Sequence, residues 1–387
     1  MSIFNEKINR LETASVKWEM VKDVFGAEDL WPMWVADMDF KPPQAVIDAL
    51  RNRAEHGVFG YTFVPTSAMD AIEKWLKKRH GWQIHTSWLE FCSGVVQGIS
   101  TAINALTKEG DKVLVQSPVY TPFFDMIAKN NRVVVNAQLE LVEGRYEIDF
   151  SRLEEALKEG CKLFILCNPH NPAGRVWAEE ELLRIGELCE QYDCLILSDE
   201  IHSDLIYKND KHIPIASLSE ELANRTVTFI APSKTFNLAG LHTSVAIIKK
   251  EELRTKFHEQ LTRQGFFSLN TFGIIGMEAA YLEGESWLEE LLDYLEDNKN
   301  VVAGYLAEHL PEIHLVEPEG TYLLWLDCRE LGLSDEELRI RLIEKGKLAL
   351  EPGTKYGPGG EGFVRMNIAC PREMLQEGLD RLKIALS

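Results

Sequence analysis

The sequence predicts an α/β protein in which a mainly parallel sheet is flanked by helices and joined to a smaller α+β domain. Two observations carry this. Short apolar runs, each closed by polar or turn residues, recur through the middle of the chain with helical patterns between several of them. After Gly284 the alternation stops, and a long helical stretch leads into further strands and a terminal helix.

The N-terminal segment holds no strand–helix alternation up to about Phe40. Residues 1–45 are therefore expected to pack with the C-terminal part. The runs that follow start at Lys112 (KVLVQSP), Arg132 (RVVVNAQ), Lys162 (KLFILCNP), Cys194 (CLILSDE), Thr226 (TVTFIAPSK) and Ser244 (SVAIIKK). They are strand-length and rich in β-branched residues. The stretch AEEELLRIGELCEQY before Asp193 has a helical pattern, and such alternation reads as βαβ units. These features assign residues 46–284 to a large domain. Residues 285–387 form the smaller one, with a helix to Pro311, strands in HLVEP and TYLLWLDC, a helix in SDEELRIRLIEKG and a last amphipathic helix around Leu375 to Leu386.

Composition excludes several function classes. The 387 residues are 45% hydrophobic and 26% charged, ordinary for a globular protein, and the formal net charge of −20 argues against nucleic acid or an anionic membrane as partner. The first twenty residues intersperse charges and hold no apolar core, so no signal peptide is expected, and no stretch is long enough to span a bilayer. The seven cysteines, several inside apolar runs, form no C-x-x-C, which suits reduced thiols and a cytoplasmic protein. The histidines show no ligand-like spacing, so no metal is expected. Gly357, Gly359 and Gly362 spell G-x-G-x-x-G, but Pro358 and the missing βαβ context make this a loop. His170 and His212 read as loop or surface residues.

In open parallel sheets, ligands sit beyond the carboxyl ends of the strands. The residues just past four runs are Ser117 to Tyr120, Asn168 to Pro172, Asp199 to His202, and Ala231 to Lys234. An aromatic, an amide, a carboxylate and an amine are thus delivered to one edge. A desolvated lysine at a strand end is a nucleophile for carbonyls. An aspartate near it can keep a pyridinium nitrogen protonated, the usual partnership in pyridoxal phosphate chemistry. Asn171 can donate to a phenolate oxygen, and Tyr120 can stack on a ring. The segment FCSGVVQGISTAINAL reads as a loop opening a helix, with Ser93 as N-cap and the N–H groups of Val95 and Val96 free for a phosphate. Ser233 can add a hydroxyl.

The combination NPHNPAGRVW, SDEIHSDL and APSKTFNLAG resembles the fold-type I pyridoxal-5′-phosphate (PLP) enzymes, the aspartate aminotransferase superfamily. The likeness covers almost the whole chain and extends to PEGTYLLWLD, LEPGTKYG and FVRMNIACP. WVADMDF, GVFGYT, SPVYTPF and SDEIHSD point to the MalY/PatB branch of cystathionine β-lyases. The resemblance implies a PLP-dependent transferase-like fold and a role for each matching residue. Lys234 forms a Schiff base with the cofactor, Asp199 pairs with the pyridine nitrogen, Asn171 meets the ring hydroxyl oxygen and Tyr120 stacks on the ring. Val95, Val96 and Ser233 meet the phosphate, and Tyr61 reaches the phosphate of the neighbouring subunit of a homodimer. Arg365 binds the substrate α-carboxylate, with Ala36 nearby.

His202 stands where aminotransferases usually have tyrosine, and is read equally as a second-layer residue or a cofactor contact. His242 replaces a phosphate-binding arginine, and Ala231 stands where a serine is common. The activity implied is α,β-elimination of cystathionine and related cysteine thioethers to a thiol, pyruvate and ammonia. An aminotransferase on the same fold is the alternative, since it would use the same lysine, aspartate and asparagine. A non-catalytic PLP-fold regulator is a third reading, disfavoured by the presence of the lysine and the lack of a basic DNA-binding extension.

Overall fold

The computed structural model describes residues 2–387. Seven strands form the central sheet: β1 (Leu89–Cys92), β2 (Lys112–Val115), β3 (Val133–Asn136), β4 (Leu163–Cys167), β5 (Leu195–Asp199), β6 (Thr226–Ile230) and β7 (Ser244–Ile247). Their order is β1-β7-β6-β5-β4-β2-β3. The pairs from β6 through β3 are parallel, and β7 runs antiparallel to both β1 and β6. β4 and β6 are buried at every position, as expected for strands covered by helices on both faces. β1 was not among the runs read from sequence: it is four residues long and interrupted by Glu90.

Helix α1 (Gln44–His56), α2 (Thr66–His80) and α3 (Val95–Leu106) precede or follow β1, and α4 (Thr271–Glu283) follows the last strand of the sheet. α3 approaches the sheet closely because Gly98 has no side chain: a Cβ there would lie 2.7 Å from the Phe229 ring on β6. The first turn of α3 is thereby held near the end of β6. The N-cap of α3 is Gly94, not Ser93 as the sequence suggested, and no side chain caps it.

α5 (Glu285–His309) is the long helix expected after Gly284. It turns Leu288, Leu291, Leu295 and Val302 toward Leu375, Leu379 and Leu382 of α6 (Arg372–Leu386), all fully buried. Those positions recur with the helical period that builds one apolar stripe. A four-stranded antiparallel sheet lies with them, in the order β8 (His314–Val316), β9 (Leu323–Asp327), β11 (Phe363–Asn367), β10 (Glu351–Pro352).

The N-terminal segment crosses onto this small domain. Trp31–Pro32 pairs in parallel with Leu348–Ala349. Asn367 donates its amide hydrogens to the carbonyls of Val35 and Asp37, both at 2.6 Å. The same segment is tied to the large domain through Asn237, which bonds Met38 and Phe40. Residues 34–40 are thus anchored on both sides of the cleft.

Candidate active site

The carboxyl ends of β2, β4, β5 and β6, the first turn of α3 and the residues around Ala36 enclose a cavity of about 430 Å³. Ala36, Val95, Val96, Tyr120, Asn171, Asp199, His202, Ser233, Lys234 and Arg365 all line it. Of the candidates read from sequence, Tyr61 alone is not part of this wall. It is fully exposed on the loop between α1 and α2.

Lys234 follows β6 on a single helical turn that starts at Pro232. Its Nζ donates to the carbonyl oxygen of Ala36 at 2.6 Å, and Tyr322 Oη donates to the same oxygen at 3.0 Å. Burial lowers the lysine to about 8, helped by the Arg365 charge and opposed by Asp37 and Asp199. A lysine so placed is partly neutral near physiological pH, as a nucleophile or base must be.

Asp199 ends β5 and is almost wholly buried. Its Oδ1 accepts from the Ile201 N–H at 3.1 Å. Burial pushes the carboxyl up to about 7, against the Ile201 hydrogen bond and the Lys234 charge. A carboxylate this dry is stabilised by a cationic N–H facing it from the cavity, the group a protonated pyridine nitrogen presents.

Arg365, on β11, donates from Nη1 to Asn171 Oδ1 at 3.1 Å and from Nη2 to Trp34 O at 2.7 Å, while its buried Nε has no partner. The guanidinium also lies over the Tyr356 ring at 5.3 Å. Because the Asn171 oxygen is occupied by Arg365, its Nδ2 is left to donate toward the cavity, as a phenolate oxygen requires. His202 is buried with Nδ1 unpaired, its ring edge-on to Tyr322 at 6.0 Å. Burial and the Lys234 and Arg365 charges hold it well below its usual range, so the ring is neutral. Tyr120 is pushed up to about 12, by burial and then by Asp199, and keeps its proton.

At the other end of the cavity, the N–H groups of the first turn of α3 have no helical partners, and no side chain caps them. With the helix dipole they form an anion site. Ser233, His242 and Thr243 also line the cavity. An aldehyde-reactive amine, an acid for a ring nitrogen, an amide donor and a phosphate cradle therefore fit PLP from end to end.

Behind the wall lies a network the sequence did not reveal. Asp204 accepts from Trp75 Nε1 and His80 Nε2 at 3.0 Å and from Thr235 Oγ1 at 2.9 Å, which fixes the residue next to Lys234. Glu200, next to Asp199, accepts from Ser198 and pairs with His212 at 2.9 Å. His212 lies in a loop, as expected, but is buried and not at the surface. His170 is likewise a buried loop residue, packed edge-on to Trp177 at 5.8 Å, because the turn after β4 folds inward over it. Burial would raise Asp204, but the hydrogen bonds from His80 and Thr235 outweigh it and hold the carboxyl below its ordinary value. Asp204→Ala should destabilise the fold by about 3–5 kcal/mol, since it strands buried donors and a buried imidazole. Urea unfolding checks this. The Asp204 contribution in the parent protein should be lost as pH falls through the lowered folded value.

Fold and site together define a PLP-dependent enzyme of fold type I. The model of the family described as aminotransferase class I and II matches residues 32–382. The chain is 49% identical over 385 residues to the cystathionine beta-lyase PatB of Bacillus subtilis, covering 99% of this chain and 100% of that protein. It is 34% identical to the protein MalY of Escherichia coli, over 97% of this chain and 96% of that one. The PLP-bound C-S lyase of Staphylococcus hominis superposes with a TM-score of 0.93 at 35% identity, over 99% of this chain and 97% of that structure. The chain belongs to the aminotransferase class I and II family and, within it, to the MalY/PatB-type cystathionine β-lyases, which are PLP-dependent carbon–sulfur lyases.

Proposed function

We propose that this enzyme catalyses α,β-elimination of cystathionine and related cysteine thioethers, releasing a thiol, pyruvate and ammonia. The observation that carries the reading is the convergence of Lys234, Asp199 and Arg365 on one cavity. PLP, when bound, would supply an electron sink for the pair left as the substrate's Cα proton is removed. Lys234 Nζ, lowered by burial, takes the Cα proton. Asp199 would hold the proton on the ring nitrogen. Asn171 Nδ2 would donate to the ring oxygen, and the neutral His202 ring lines the same cavity. Tyr120 would stack on the ring. Val95, Val96 and Ser233 would hold the phosphate. Arg365 grips the substrate α-carboxylate with its planar fork, beside Ala36. The Cβ–S bond then breaks, its electron pair leaving with sulfur, which gains a proton to give the thiol. A thiol is a good leaving group at an ordinary value near 8.5. Water completes hydrolysis of the three-carbon fragment to pyruvate and ammonia.

The test is pyruvate release from L-cystathionine with no keto acid added. A strict requirement for a keto acid co-substrate would mean an aminotransferase. Arg365→Ala should raise KM roughly 10- to 100-fold with a smaller effect on kcat, because it removes charge-assisted bonds made in ground and transition states alike. Steady-state kinetics with cystathionine checks this.

The enzyme acts as a homodimer in which Tyr61 reaches the phosphate end of the neighbouring site. Supporting this, Phe59, Tyr61, Phe63 and Phe267 are exposed on adjoining loops, and Phe59 packs on Phe272 at 5.7 Å. Apolar clusters of this kind mark protein contacts. Sedimentation at micromolar concentration tests it. Residues 46–284 act as the PLP-holding domain and 285–387 as the small domain. Residues 1–45 move with the latter, a grouping supported by the pairing of Trp31 with Leu348. The cytoplasm is the proposed location: all seven cysteines are free and buried, and no helix among the described residues is long and apolar enough to cross a membrane.

A further inference from the structure

Two charged residues of the small domain line the active-site cavity and take no part in the chemistry above. Glu351, on β10, is 4% exposed, and Lys355 lies one helical turn further on, at the mouth. Lys355 Nζ meets Glu351 Oε2 at 2.7 Å. The carboxylate has no second side-chain partner among the described residues, so Oε1 is free to accept. Glu351 is paired directly across the sheet with Arg365, which puts both side chains on one face of that sheet.

The pair adds little stability of its own, since Lys355 is half-exposed. On its other side lies a recess of about 180 Å³, lined by Phe25, Leu338, Leu342 and Phe363 together with Asp335 and Arg339. Burying the Glu351 carboxylate between that recess and the active-site cavity costs hydration. A carboxylate and an ammonium side by side are instead the complement of a zwitterion. Cystathionine carries one at the end remote from the bond that breaks.

We infer that Glu351 and Lys355 form a subsite for the distal amino-acid end of the substrate, Glu351 accepting from its ammonium group and Lys355 donating to its carboxylate. The inference rests on the elimination reading above and adds substrate selection to it. The enzyme therefore prefers thioethers with a second amino-acid end over S-alkyl cysteines, and Arg365 and the pair grip the two ends of one molecule.

The experiment compares L-cystathionine with S-methyl-L-cysteine, in the holoenzyme and in the variants Glu351→Gln and Lys355→Met. Each variant should lose roughly 10- to 100-fold in kcat/KM for cystathionine, mainly through KM, the range expected for hydrogen bonds to charged groups. For S-methyl-L-cysteine it should stay within roughly 2-fold of the parent. Equal losses on both substrates, or a thermal midpoint lowered in both variants, would make the pair a structural support of Arg365 and overturn the inference. An unchanged KM for cystathionine would overturn it too. A parent enzyme that releases pyruvate from S-methyl-L-cysteine upholds the elimination reading whatever the variants do. A parent enzyme that releases none from either substrate defeats that reading, and the subsite falls with it.

Discussion

Replacing Lys234 by alanine is expected to reduce pyruvate release from cystathionine by roughly 10³-fold or more, the upper range for a positioned general base. The loss is large because no other amine stands at that place. Lys234 Nζ reaches the Ala36 carbonyl, whereas Lys355 Nζ lies beside Glu351 and the Arg365 guanidinium lies at the Asn171 and Trp34 oxygens. Arginine does not deprotonate in this pH range. The variant should also lack the visible absorbance of cofactor bound through the lysine. Single-turnover kinetics and a spectrum of the purified variant check both, and retention of either would refute the role given to Lys234.

Asp199→Asn should lower kcat by roughly 10²- to 10³-fold while leaving the cofactor bound, comparable to removing one preorganised electrostatic group. The substitution preserves shape and removes the charge that keeps a ring nitrogen protonated. Cofactor content measured beside kcat separates this from simple loss of PLP. The same variant reports on protonation. In the cofactor-free chain Asp199 is raised from 3.8 to about 7, chiefly by burial. A carboxyl raised in the fold binds more protons folded than unfolded between those values. The Asp199 contribution to the stability of cofactor-free protein should therefore fall as pH rises from about 4 to about 7, then level off, and is read as the difference between parent and Asp199→Asn. Lys234 works in the opposite sense: it is lowered from 10.5 to about 8, so the unfolded chain binds more protons at this group and its contribution to stability should rise with pH across that interval. Urea unfolding of cofactor-free protein gives both slopes, and Asp199→Asn should flatten only the lower one.

Much of the large domain was legible because β4, β5 and β6 are almost wholly buried and so read as short runs of apolar and β-branched residues. The residues after them therefore declared themselves as a group. Other parts left no local trace. β1 is a short strand with a glutamate in it, made a strand by its antiparallel pairing with β7. β10 is two residues long and exists through its pairing with β11, so Glu351 could not be placed beside Arg365 beforehand. His212 reads as a loop residue, and its pairing with Glu200 depends on chain that folds back from twelve residues away.

Which chemical groups stand at the strand ends, and hence the class of reaction, follows from residue order, because strand periodicity and turn residues are local properties. Distance and protonation do not follow from it. Lys234 meets a carbonyl 198 positions away, and Arg365 meets one 331 positions away. The lowered lysine, the raised aspartate and the free donor of Asn171 come from desolvation and charges acting through space. Those act only once the N-terminal segment and the small domain have closed over the sheet.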